Sequence, residues 1–445
     1  MKRKVFLIGL LGLLLMTSLK AQQATASKGD TTMYLSLEQA QDYARKHNAT
    51  LANATLDVKK AEMAKWETLS TMMPQVTASY NYQNMCGYEM VFGSGMASMK
   101  IPMDPTGTFG VQAAIALTGQ QIVGSIMNKL AVEMQETNRA MSEQSINSNV
   151  KNAYVSILIM EQTVGLLDSS LANMERLAAQ TQASVTAGAA EQTDADKLAV
   201  QVASIRSSIN STRLSLAMLY NSMILQLGAG VNDKIILTTK LDEILSVDNA
   251  MQLLAQNFNI ENNYTYQLLQ QNEKLAKDQV ALAWSSFAPT VSVFYQYSKK
   301  HYFGDKGMDM TPPNLVGVSV SLPLWQTGTR AFKIGQAKIE LEENRNSKKQ
   351  AEDGLKVQYK QLCNNLVTAL ETYQIQNANI EVSTRVFNKI SEKYKYGQSS
   401  SLEVTQSSSD LINAQSSYIQ SVMNVISAQV ALEDLMNNNT LNNEK

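Results

Sequence analysis

Apolar and polar residues alternate with a period of two in four separate stretches of the chain, and with a helical period through most of the rest. After Pro74, Val76, Ala78, Tyr80 and Tyr82 share one face while Thr77, Ser79, Asn81 and Gln83 share the other. After Pro289 the pattern returns, with Val291, Val293, Tyr295 and Tyr297 opposite Ser292, Gln296 and Ser298. Phe109, Val111, Ala113, Ile115 and Leu117 oppose Gly110, Gln112, Ala114 and Ala116, and Val316, Val318, Val320, Leu322 and Leu324 oppose Gly317, Ser319 and Ser321. Side chains point to opposite faces at successive strand positions. The pattern therefore predicts strands at about 75–84, 108–118, 290–298 and 315–324. Strands of roughly 9 to 11 residues are long enough to cross a bilayer when tilted.

All seven prolines lie at 74–105 or 289–323, in and beside these strands. Proline lacks the amide donor and clashes with the preceding helical turn, so the proline-free blocks are helix territory. Long helices are predicted at 121–187, 191–228, 327–396 and 400–436. Tyr154, Leu158, Leu166, Met174 and Leu177 recur at helical spacing among Ser, Asn, Gln, Thr and Ala. So narrow a stripe suits helices packed side by side in a coiled-coil manner.

The two halves of the chain align. Asn48 matches Asn263 and Pro74 matches Pro289, 215 positions apart, while Gly188 matches Gly397 at 209. Duplication of one unit explains the order helix, strand, loop, strand, long helix, turn, helix in each half. The predicted organisation is a signal peptide over 1–21, a first repeat over 22–228, a connector over 229–262, a second repeat over 263–436 and a tail over 437–445. The fold class is mainly α with a transmembrane β part.

Four strands in hydrocarbon would leave two edges of unpaired amides and carbonyls, each group costing several kcal/mol, so only a closed barrel is tolerated. One chain cannot close one, whereas three copies supply twelve strands. Small polar residues on the second strand faces suit a water-filled lumen, and the tyrosines suit a membrane interface. The alternative is a soluble or surface-exposed coiled-coil structural protein whose short strands cap the bundle, since half-buried strands show the same alternation.

Lys2, Arg3 and Lys4 followed by "VFLIGLLGLLLM" form a secretory signal peptide, with cleavage expected after Ala21. Without the four basic residues of that segment, 34 of the 38 Lys and Arg remain against 39 Asp and Glu, and nothing points to nucleic acid. Cys86 and Cys363 lie in dissimilar contexts and do not form a disulfide framework, and His47 and His301 have no zinc-type neighbours. Neither a phosphate-cradling loop nor an activated nucleophile is recognisable. No catalytic, cofactor or metal site is expected, and an enzyme is the weakest class.

The opening "SLEQAQDYARKHNATLANATLDVKKAE", the paired strands, "SLPLWQTG", and the turns "SVTAGAAEQTDADKL" and "KYKYGQSSSLEV" together resemble the TolC family of outer-membrane efflux proteins. The likeness covers essentially the whole mature chain. It implies a homotrimer in outer-membrane lipid, whose 12-stranded barrel continues as a periplasmic α-helical barrel. Cargo passes passively, and the implied partners are a periplasmic adaptor (membrane fusion) protein and an inner-membrane RND, ABC or MFS-type transporter. The family's periplasmic aperture maps onto Asp194, Tyr394 and Glu403, and its helix-tip turns and adaptor contacts onto Gly188 and Gly397. Two positions depart from the family pattern: Ser399 stands where an arginine is expected and Gln406 where an acid is expected. Asp194 and Glu403 also suit the dipole end of a helix, a role worth about 0.3 to 1 kcal/mol.

Overall fold

The structure is a computed structural model that describes residues 32–93, 99–304, 312–324 and 328–437. The expected signal peptide, residues 438–445 of the expected tail and Trp325 to Thr327 of "SLPLWQTG" lie outside the described residues.

Strands β2 (Gln75–Gln83), β5 (Thr106–Leu117), β7 (Thr290–Tyr302) and β8 (Asn314–Ser321) form one antiparallel sheet in that order, so β2 and β8 are its edges. The sheet's first loop carries its own hairpin, β3 (Glu89–Phe92) with β4 (Met99–Pro102). A separate parallel pair joins β1 (Thr32–Leu35) to β6 (Lys234–Leu237).

The helices are α1 (Leu37–His47), α2 (Ala49–Ser70), α3 (Gly119–Thr186), α4 (Gln192–Leu227), α5 (Leu241–Ile244), α6 (Val247–Ala255), α7 (Tyr264–Ser285), α8 (Thr329–Lys395) and α9 (Ser401–Met436). At 1.5 Å per residue, α3 and α8 are each about 100 Å long. Their starts follow from local chemistry. Thr118 Oγ1 accepts from the Gln121 amide at 3.1 Å while Gln121 Oε1 accepts from the Thr118 amide at 2.9 Å, a reciprocal capping box at the start of α3. Ser400 and Glu403 form the corresponding box on α9. The sequence around residues 37–70 does not continue as one helix, because Asn48 turns extended and its side chain caps α2.

Packing follows the narrow stripe. Val150, Tyr154, Ile157, Leu167, Met174 and Leu177 of α3 are buried at intervals of three, four and their sums. Leu167, rather than its neighbour Leu166, is the buried member. One window of α3 is apolar enough by composition to cross a bilayer. The stripe is packed instead on α4 and α9, with Met174 and Leu177 against Leu198, Ile205 and Val404, and Val155 and Ile159 against Val422 and Ile426. Fully buried Tyr154 donates to Leu35 O at 3.0 Å and accepts from the Thr239 amide at 2.9 Å, which ties the β1 and β6 region to α3.

Matched positions of the two halves make matched bonds. Asn48 Nδ2 donates to Gln226 O at 2.6 Å, and Asn263 Nδ2 donates to Leu435 O at 2.9 Å. Gly228 and Asn437, each two residues further on, both take the left-handed conformation that ends α4 and α9.

Candidate functional site

Register places every large alternating residue of the four-stranded sheet on one face. Tyr80 faces Phe109, Val111 faces Tyr297, Ile115 faces Val293, and Val293 faces Val318. That face is bare, with Val76, Val316, Val318 and Val320 each 65–70 % exposed. The opposite face aligns Thr77, Gln112 and Gln296 in one row and Ser79, Gly110 and Ser298 in the next. The exceptions are Phe294, Leu315 opposite Gln296, and Tyr302 opposite Thr106, which fall on the polar face; the Phe294 ring lies over Gly317 with no room for a Cβ there. Strand β7 runs on to Tyr302, so at the loop end of the sheet Lys299 shares the row of Tyr80 and Phe109, and His301 that of Tyr82 and Gly107.

The far ends of the helices form the second feature. Gly188 has φ +72° and Gly397 φ +68°, and both turns close with paired 5→2 and 6→1 bonds. The Gly188 amide donates to Val185 O and the Ala189 amide to Ser184 O, while the Gly397 amide donates to Tyr394 O and the Gln398 amide to Lys393 O. Glycine suits this left-handed position because it has no Cβ to clash. A cavity of about 470 Å³ lies between the two turns, bordered by Thr181, Ser184, Asp194, Tyr394, Gly397 and Ser399.

Two of the three expected aperture residues bridge the hairpins. Tyr394 Oη of α8 lies 3.0 Å from Thr181 Oγ1 of α3, and the Asp194 carboxylate of α4 accepts from Ser401 Oγ of α9. Lys197 Nζ lies 3.8 Å from the same carboxylate. Glu403 instead turns back on its own helix. Its carboxylate accepts from Ser399 Oγ and from the Ser400 amide, bonds that hold it below the usual carboxylate range. Ser399 is thus engaged locally, and Gln406 donates to Asp410 one turn on. The bridging partners Thr181 and Ser401 were not singled out from sequence. Thr181 had a legible signal, since it continues the buried stripe of Met174 and Leu177 yet carries a hydroxyl.

Among the described residues no cluster of three or more His, Cys, Asp or Glu side chains is arranged to hold a metal, and Cys86 and Cys363 are free thiols.

The described family "Outer membrane efflux protein" matches residues 260–438. The outer membrane efflux protein BepC of Brucella suis is 21 % identical over 420 residues, covering 92 % of this chain and 86 % of that one. Among solved structures, the Campylobacter jejuni CmeC outer membrane channel superposes with a TM-score of 0.71 at 13 % identity, covering 90 % of this chain and 85 % of the other. The open state of the Neisseria gonorrhoeae MtrE outer membrane channel gives 0.71 at 14 % identity, covering 90 % and 88 %. Those two likenesses establish a shared fold. The second half of the chain thus matches the outer membrane efflux protein family, and nearly the whole chain has the fold of outer membrane channels.

Proposed function

We propose that this chain is the outer-membrane exit duct of a tripartite export machine and works as a homotrimer. One observation carries the reading: a four-stranded sheet with a bare apolar face, a polar face and two edges without a partner strand among the described residues. Hydrocarbon does not tolerate such edges. Pairing β2 of one copy with β8 of the next removes both, and three copies give a twelve-stranded barrel of a size known for bacterial outer membranes. The apolar face then meets lipid, and the Ser, Thr and Gln rows line the pore. The long helices extend into the periplasm, where a periplasmic adaptor grips the Gly188 and Gly397 turns. An inner-membrane transporter of the RND, ABC or MFS type supplies energy and selection. The duct is a passive transport protein with no reaction of its own.

In this reading the Thr181–Tyr394 and Asp194–Ser401 bonds latch the two helical hairpins of each protomer together and hold the aperture narrow. Glu403 serves as a helix cap.

The test begins with membrane flotation and light scattering in detergent. The protein is expected in outer membranes and to purify as three protomers. A monomer that stays soluble without detergent refutes the duct and leaves the coiled-coil structural protein. For the aperture, single-channel conductance of Thr181→Val with Asp194→Ala should exceed that of the unmodified trimer. Unchanged conductance would reduce both bonds to packing.

A further inference from the structure

A second cavity, of about 500 Å³, lies where the sheet gives way to the helices. Residues at three places along that boundary border it: Thr118, Gly119 and Gln120 at the start of α3; Ser285, Ser286, Ala288 and Thr290 between α7 and β7; and Pro323 after β8 with Arg330 and Lys333 of α8. Among the described residues its lining contains two cations, Arg330 and Lys333, and no carboxylate. The two are three positions apart on α8 and so share a helix face.

Arg330 is held in place. Its Nη1 donates to Pro323 O at 3.1 Å, and its guanidinium sits 5.3 Å from the centre of the Phe287 ring. One carbonyl satisfies one of five guanidinium N–H donors. Lys333 has no carboxylate within ion-pair distance among the described residues. The start of α8 adds to the positive character, because its N-cap, Gly328, supplies no side-chain acceptor to the first amides. Exposed apolar groups flank the lining residues in sequence: Leu322 and Leu324 beside Pro323, Phe332 beside Lys333, and then the bare Val316, Val318 and Val320 row of β8.

We propose that this cavity binds the phosphate of an anionic phospholipid from the periplasmic leaflet of the outer membrane, with Arg330 and Lys333 as its ligands. A phosphodiester is an acceptor that arginine binds in a fork and lysine binds as a point charge. The acyl chains of the same molecule continue along the apolar β8 row, which is why an amphiphile suits the site better than a soluble anion. The inference rests on the sheet lying in the outer membrane, because that reading puts the cavity at the bilayer's inner boundary.

Native mass spectrometry of the detergent-purified trimer tests it. Phosphatidylglycerol and phosphatidylcholine of the same acyl composition are titrated separately, with and without glycerol phosphate as a soluble competitor. The unmodified trimer is expected to bind phosphatidylglycerol about tenfold more tightly than phosphatidylcholine, as two charge-assisted contacts allow. Arg330→Gln with Lys333→Gln should abolish the preference, and Lys360→Gln, on the same helix outside the cavity, should keep it. If the double variant does not assemble, Lys333→Gln alone should still reduce the preference severalfold. An intact trimer with no preference, or one from which glycerol phosphate displaces the lipid at equal concentration, overturns the proposal and leaves the duct standing. Absence of any detergent-stable trimer would instead undo the membrane reading beneath it.

Discussion

Val293 offers the sharpest test of how the sheet is oriented. It lies on the bare apolar face, 46 % exposed, between Ile115 of β5 and Val318 of β8 in the register. Val291 stands two residues nearer the helices, and Tyr295 and Tyr297 stand on the other side, so Val293 sits within the apolar band. An arginine on the lipid face of a barrel near the midplane costs about 2 to 4 kcal/mol. Per protomer that is roughly a 30- to 1,000-fold shift in the folding equilibrium, and a trimer carries the substitution three times. The adjacent Ser292 faces the polar row opposite Ser319. There an arginine reaches water, and the expected cost is a small fraction of the first. The assay is the heat-modifiable trimer fraction recovered from outer membranes and from urea refolding into vesicles. Val293→Arg should lose nearly all of it and Ser292→Arg little. Equal losses, or a greater loss at Ser292, would refute the assignment of faces.

Two further predictions concern the helices. Glu273 of α7 bonds Lys348 at 2.5 Å and Lys277 at 2.9 Å, contacts that lower its carboxyl to about 2, and Arg345 lies 3.4 Å away. Because the folded value lies below the unfolded one, its contribution is complete above about pH 5 and fades as pH falls toward 2. Glu273→Gln should therefore lower thermal stability at pH 7, by about 2 kcal/mol for the lost charged bonds, and flatten the acid limb of a stability profile. An unchanged acid limb would remove Glu273 from that role. At Gly397 an added Cβ meets nothing within 4 Å, so the cost of replacement is conformational alone. Gly397→Val should cost roughly 1 to 2 kcal/mol and Gly397→Asn distinctly less, read by helical melting; equal costs would contradict a left-handed requirement.

The sheet was legible because one face is apolar and the other polar, which imposes a strict period of two along each strand. Strand β8 ends at Ser321, before Pro323, and α3 starts where Thr118 and Gln121 can bond reciprocally, both features visible in local sequence. Contacts between distant elements were less accessible. The pairing of β1 with β6 joins four-residue strands about 200 positions apart, too short to show a period. The β3 and β4 hairpin falls in a Gly- and Pro-rich stretch that reads as loop. At the tips, the Ser-x-x-Glu spacing of Ser400 and Glu403 signals a cap, and a cap is what Glu403 makes. That Asp194 would meet Ser401, 207 positions away, depends on how two hairpins pack, which helical periodicity does not encode.

The twin asparagine bonds have a mechanical corollary. Asn48 and Asn263 tether the roots of α4 and α9, and each of those helices is 36 residues long. At 1.5 Å per residue both are levers of about 54 Å. A swing of about 6° at such a hinge carries the free end through about 5 Å, the width of one helical turn. In the proposed duct, equal arms on equivalent hinges would let both hairpins splay by the same amount, widening the periplasmic mouth with the barrel unmoved.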